Sequence, residues 1–228
     1  MIFTTKPNRT ETILGSIYLI FDVFVLPLLL GLLNAMLPEP LSGARINFLY
    51  FLINFAVILP LFRKFLLQSL KDTRKVLFYT LRFALLGYVG YRVLSDLLLS
   101  LIVRIYPPFY NFNDLNVALT LREDFALMAV GTVLLVPIAE ETLFRGLIFR
   151  GLYDRSPLAA YLVSMAAFAA IHVIGYVGIA DAPILFLSFL QYLPAGYCLC
   201  FAYRRSGTIA SPILMHMLVN AVATLSMR

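Results

Sequence analysis

The chain of 228 residues holds two histidines, and both lie in apolar stretches. His172 stands in SMAAFAAIHVIGY, four residues after Phe168, and His216 stands in SPILMHMLVN, four before Asn220. Residues four apart share a helix face, so His216 and Asn220 project together. A third apolar stretch, VPIAEETLFRGLIFRGLY, carries adjacent acids, Glu140 and Glu141, and then Arg145. Neighbours on a helix diverge by about 100°, so the two acids cannot face the same way. Arg145 meets Glu141 on one face, and a carboxylate held by a guanidinium stays ionised and mainly structural. Glu140 then points elsewhere with no local cation, the placement of a general base. An unpaired acid, two imidazoles and a carboxamide can activate a water and hold the negative oxygen that its attack creates. The blander alternative is a buried Glu–Arg group that ties helices together, beside satisfied core histidines. Against it, every histidine of the chain lies in an apolar span and one travels with an amide.

The elements that must position these groups are membrane helices. Of the residues, 61% are apolar and 13% charged, against roughly 25% charged in a soluble domain, and the mean hydropathy is +0.90. A soluble globule of this size could not bury so much apolar side chain. Disordered, collagen-like and disulfide-framed chains are excluded on the same composition. Cys198 and Cys200, two apart in an apolar run, point to different sides of a helix and form neither a bridge nor a metal pair.

A crossing helix needs about 20 mostly apolar residues. Seven candidates run near 13–37, 46–62, 76–104, 126–149, 158–178, 183–203 and 208–226. The first is read as a retained helix, since it lacks a small-residue cleavage pattern. With the N-terminus in the cytoplasm, twelve Lys and Arg fall in inside segments and four in outside segments, a clear positive-inside bias. The expected fold is therefore all-α: a polytopic transmembrane bundle of about seven spans, N-terminus inside. Small residues around the histidines, Ser164, Ala166, Ala167, Ala169 and Ala170 on one helix, Ala210 and Ser211 on another, let helices approach closely. Segment 62–75 mixes leucines with five cations and reads equally as a helix on the inner leaflet or a basic turn. Segment 107–124, polar and aromatic, is expected to cap the outer face. Of the other ionisable groups in the spans, Arg82 can snorkel, Arg92 and Asp96 are spaced as an ion pair, and Asp22 has no local partner.

Three patterns in order, E-E-x-x-x-R (Glu140, Glu141, Arg145), F-x-x-x-H (Phe168, His172) and H-x-x-x-N (His216, Asn220), carry a family resemblance. The chain resembles the CPBP-family intramembrane proteases, which include type II CAAX prenyl endopeptidases and bacteriocin-immunity ("Abi") proteins. The similarity runs over roughly 125–226 and extends through EETLFRGLIFRG and RRSGTIASPILMHMLVNA. It divides one integrated membrane domain into N-terminal helices without a signature, 1–124, and a catalytic core, 125–228. The resemblance implies peptide-bond hydrolysis inside the membrane, at a site open to the cytoplasm. Glu140 and His172 would activate water, and His216 and Asn220 would bind the oxyanion. Glu141 with Arg145 would brace the site, and Phe168 would pack beside it.

The family is often labelled metalloprotease. Glu140, His172 and His216 could supply three ligands to a divalent metal such as zinc, but no separate base would then remain. A glutamate-activated water is the expected mechanism, with no cofactor assigned. The implied partners are a peptide or membrane-protein substrate and the lipid bilayer of the cell membrane, not nucleic acid. The same residues also suit a proton-coupled transporter or a non-catalytic immunity protein.

Overall fold

Caps and prolines decide where the apolar stretches begin and bend. Asn8 opens the first helix with a capping box: its side chain accepts from the Glu11 amide at 3.0 Å, and the Glu11 carboxylate accepts from the Asn8 amide at 2.8 Å. A computed structural model describes residues 3–228 as nine helices, with no strand among them. Five are long and apolar enough to cross a bilayer: α1 (Arg9–Met36), α2 (Gly43–Leu61), α4 (Leu77–Ile105), α6 (Phe125–Tyr153) and α8 (Ala182–Ser206). Two further apolar helices are shorter, α7 (Pro157–Ile171) and α9 (Ala210–Ser226). The remaining two, α3 (Arg63–Lys75) and α5 (Phe112–Glu123), connect spans. Helices thus form at all seven expected places, two of them short of a full crossing by length.

Two π-turns have a shared cause. Pro27 and Pro137 have no N–H to offer the carbonyls of Val23 and Val133, and their rings crowd those carbonyls. The helical ladder widens at both places, over Phe21–Val25 in α1 and Gly131–Leu135 in α6. The first of these turns carries Asp22. A longer π-stretch, Thr142–Phe149, follows the acid pair and carries Arg145.

The expected fifth span, 158–178, ends sooner than its hydropathy suggests. Helix α7 starts at Pro157 behind a Ser156 cap and stops at Ile171. The chain then makes a short 3-10 turn at Ile174–Tyr176 and a bend through Gly178, whose φ of +84° favours glycine. His172 is therefore the C-cap of α7, about 22 Å along that helix from Pro157, rather than a residue in the middle of a span.

The basic segments gather at one end of the bundle. Thr4 donates to the Gly207 carbonyl from its amide and its hydroxyl. Arg150 donates to the Thr5 carbonyl, and its guanidinium lies 4.8 Å from the Phe3 ring centre. The cationic segment 62–75 is an amphipathic helix rather than a plain turn. In α3, Phe65, Ser69, Asp72 and Thr73 are buried while Leu67 and Leu70 are exposed. It is pinned by the Phe65 amide donating to Glu11, and by the Ser69 hydroxyl accepting from the Ile209 amide. At the other end, the Ala44 amide donates to Glu123 at 2.7 Å.

Small residues bring the long helices together. A Cβ built on Gly196 of α8 would lie 3.0 Å from the Met165 Cα of α7, a backbone atom that cannot step aside. Gly196→Ala must separate the two helices, and overpacking of this kind costs about 1–3 kcal/mol. The expected outcome is a lowered thermal midpoint in detergent, which also loosens the Arg145 contact described next. Cys198 and Cys200, also on α8, are buried free thiols.

Candidate active site

The geometry grows from α6. Glu141 and Arg145 are fully buried and paired four residues apart, Nη1 to Oε1 at 3.1 Å. Arg145 also donates through Nη2 to the Gly196 carbonyl at 3.2 Å, and its guanidinium sits 4.4 Å over the Phe168 ring. Glu141 Oε1 additionally holds His216 Nδ1 at 2.8 Å. A carboxylate can only accept, so Nδ1 is the protonated nitrogen and Nε2 is the free one. One ionised acid on α6 thereby orients an imidazole on α9 and a guanidinium on its own helix.

Phe168 is the hub of an aromatic layer. Its ring centre lies 4.7 Å from that of His172 and 5.7 Å from that of His216, and Phe144 packs edge-on against it at 5.7 Å. His172 Nδ1 donates to the Phe168 carbonyl at 2.8 Å, because a carbonyl has no proton to give. Its Nε2 therefore keeps a lone pair able to take a proton. The His172 ring stacks on Tyr192 of α8 at 4.2 Å. Asn220 donates through Nδ2 to the Thr132 carbonyl at 2.8 Å, inside the π-turn that Pro137 causes. One amide proton of Asn220 stays uncommitted.

Glu140 is turned away from this group, as helix geometry requires. Its Oε2 is buried without a hydrogen-bond partner, and the side chain borders a cavity of about 460 Å³. His216, Glu141, Asp22 and Arg145 lie within electrostatic range of it. Phe144 borders the same cavity and packs on Phe168. The structure thus brings Glu141, Arg145, Phe168, His172 and His216 into direct contact, with Glu140 close by. It holds Asn220 against α6 and does not place His172, His216 or Asn220 on the described cavity wall.

Three positions escape any reading of local spacing. Asp22, from the first π-turn, is 8% exposed and borders the cavity, with Tyr50 and Asn54 of α2 at its carboxylate. Tyr192 reaches His172 from twenty positions along the chain, and Gly196 supplies the carbonyl that caps Arg145. The π-turn before Pro27 is a signal that could have marked Asp22. Nothing in the sequence marks Tyr192.

The polar segment before α6 buttresses Tyr192. Its hydroxyl donates to Asp114 Oδ1 at 2.8 Å and accepts from Asn113 Nδ2 at 2.9 Å. Burial pushes the Asp114 carboxyl up from its ordinary range, against the opposing pull of that Tyr192 hydrogen bond. Tyr192→Phe keeps the stack on His172 but strands Asp114 without its donor. We expect a loss of about 1–3 kcal/mol of stability, read as a lowered thermal midpoint.

Among the described residues no three of His, Cys, Asp and Glu are grouped so that they could hold a metal ion. Glu140 borders the cavity, and His172 and His216 are not among its lining residues.

Residues 122–222 match the family model described as type II CAAX prenyl endopeptidase Rce1-like. That stretch is under half of the chain, and over it the chain is similar to that family. A further likeness is to a protein of Bacillus subtilis (strain 168) named "Putative membrane peptidase YdiL". The two are 33% identical over 95 residues, which is 41% of this chain and 34% of that protein. The match therefore spans about a third of the relative's length. No solved structure matches the chain. The matched segment begins within α5 and includes every residue of the Glu–Arg–Phe–His group, whereas Asp22, Tyr50 and Asn54 lie before it.

Proposed function

We propose that the protein is an intramembrane endopeptidase that hydrolyses a peptide bond with a water activated by Glu140 and His172. The observation that carries this reading is the division of labour on α6. Glu141 is paired through Oε1 to both Arg145 and His216, while Glu140 ends no described ion pair, keeps a buried oxygen without a partner and borders a cavity. A carboxylate without a structural partner is free to exchange a proton with water, as general base catalysis demands. His172, with Nδ1 committed to a carbonyl, offers Nε2 as a second proton acceptor. His216 is held by Glu141 at Nδ1, and in the imidazolium form, with a second proton taken up at Nε2, that edge would donate to a developing oxyanion. Asn220 offers its remaining amide proton in the same role. Arg145 fixes Glu141 and Phe168 and touches no reacting atom.

In this mechanism water attacks the scissile carbonyl as Glu140 takes its proton. Negative charge on the tetrahedral oxygen is met by His216 and Asn220, and the proton then passes to the leaving amine. Substrate binding must bring the histidine edges and the cavity together. The cavity is bordered by Asn47, Asn113 and Asn116, toward the end opposite the basic segments, so the basic segments lend no support to access from the cytoplasm. The likeness of residues 122–222 to the Rce1-like family model supports the reaction class. Purified protein offered a peptide library tests the reading: cleavage by the parent chain is expected, and cleavage that persists in both Glu140→Ala and His216→Ala overturns the assignment.

A further inference from the structure

The wall beside Glu140 carries a second carboxylate that the hydrolytic mechanism does not use, with Tyr50 and Asn54 as hydrogen-bond partners. Asp22 is more than nine-tenths buried, its Oδ1 has no hydrogen-bond partner, and its side chain borders the same void as Glu140. No lysine, arginine or histidine lies on the described wall. Buried charge is stable only when it is paired and hydrogen-bonded. Two carboxyl groups with free oxygens border one void that no cationic side chain lines, so acceptors are open there to the N–H groups of a guest. The rest of the wall suits an organic guest. Tyr50, Phe51, Phe144 and Tyr176 offer aromatic surface to a cation, and the Asn47 and Asn116 side chains offer carbonyl acceptors. Two carboxylates without a third grouped ligand are a poor metal cage, whereas an ammonium or guanidinium needs only such acceptors and an apolar sleeve for its stem.

We propose that this cavity binds an organic cation, held at Asp22. Resting on the endopeptidase reading above, the guest is the basic side chain of a substrate residue beside the scissile bond, and Glu140 stays free to take the water's proton. Asp22 is then a specificity residue supplied by a helix outside the matched segment 122–222.

Binding can be read without catalysis, using the full chain in a neutral detergent. The probes are n-pentylamine and n-pentylguanidinium, with 1-pentanol as the uncharged control and sodium or magnesium chloride at equal ionic strength as the inorganic control. At roughly five times its dissociation constant, the amine is expected to raise the thermal midpoint by about 2–4 °C. Neither the alcohol nor the salts should match it. Asp22→Asn should weaken amine binding by about tenfold or more. Should that variant fold poorly, Gly31→Leu gives an independent check. A side chain at Gly31 enters open space on the cavity wall, so it should exclude the amine while both carboxylates remain. An equal response to amine and alcohol, an equal response to the inorganic salts, or amine binding unchanged in a folded variant overturns the proposal. Amine binding by a chain that cleaves no peptide supports the cation site and overturns the endopeptidase reading. Cleavage without amine binding does the reverse.

Discussion

Replacing Glu140 by glutamine is expected to cut peptidase turnover by about 10²- to 10⁴-fold, the usual contribution of a positioned general base. The substitution keeps the volume and polarity of the side chain and removes only its ability to accept a proton. The fold should tolerate it. No hydrogen bond or ion pair of the described structure ends on the buried Glu140 Oε2, so no partner is stranded, and burying a neutral amide costs less than burying a charge. The thermal midpoint should therefore stay level or rise while turnover collapses. A purely structural acid would give the opposite pattern, with activity falling only as far as stability falls. Single-turnover cleavage of one reporter peptide, measured beside thermal unfolding in the same detergent, separates the two. Full activity in a folded Glu140→Gln chain would sink the mechanism.

Arg145→Leu is expected to act in the other direction, through the fold. Arg145 has no exposed surface, holds Glu141 and the Gly196 carbonyl, and lies over Phe168. Removing it leaves Glu141 as a buried charge whose described partner is His216 alone. Breaking one side of a buried pair typically costs about 3–5 kcal/mol, because the surviving charge keeps its desolvation penalty. The double substitution Glu141→Gln with Arg145→Leu removes both charges and should recover part of that loss. Non-additive recovery, read from unfolding midpoints of the two single variants and the double, identifies the pair as the cause. Independent effects that simply add would show that packing on Phe168 carries the stability instead.

The site was readable in the sequence wherever its contacts are local to one helix. Glu141 and Arg145 meet at a four-residue spacing, and Phe168 with His172 does the same, so helical geometry alone places them. Contacts between helices left no such trace. Asp22 and Glu140 border one cavity from 118 positions apart in the chain, and no periodicity links them. The end of α7 was hidden for a different reason. Residues after His172 remain apolar through Ile179, so hydropathy extends the span, while the backbone stops at Ile171 and turns through Gly175 and Gly178. Ile174, Gly175 and Tyr176 of this turn line the cavity. Helix α5 was legible only as a polar cap. Its start depends on the Asn111 side chain accepting from the Asn113 and Asp114 amides.

The abbreviated reach of α7 and α9 sets a demand on the surrounding lipid. At 1.5 Å per residue, helices of 15 and 17 residues extend only about 22 and 26 Å, against a hydrocarbon thickness of about 30 Å. Acyl chains beside these two helices must compress or tilt to cover them, at an energetic cost that grows with each ångström of mismatch. His216 lies on α9 and His172 caps α7, so the thickness of the host bilayer bears on the geometry that holds the two imidazoles.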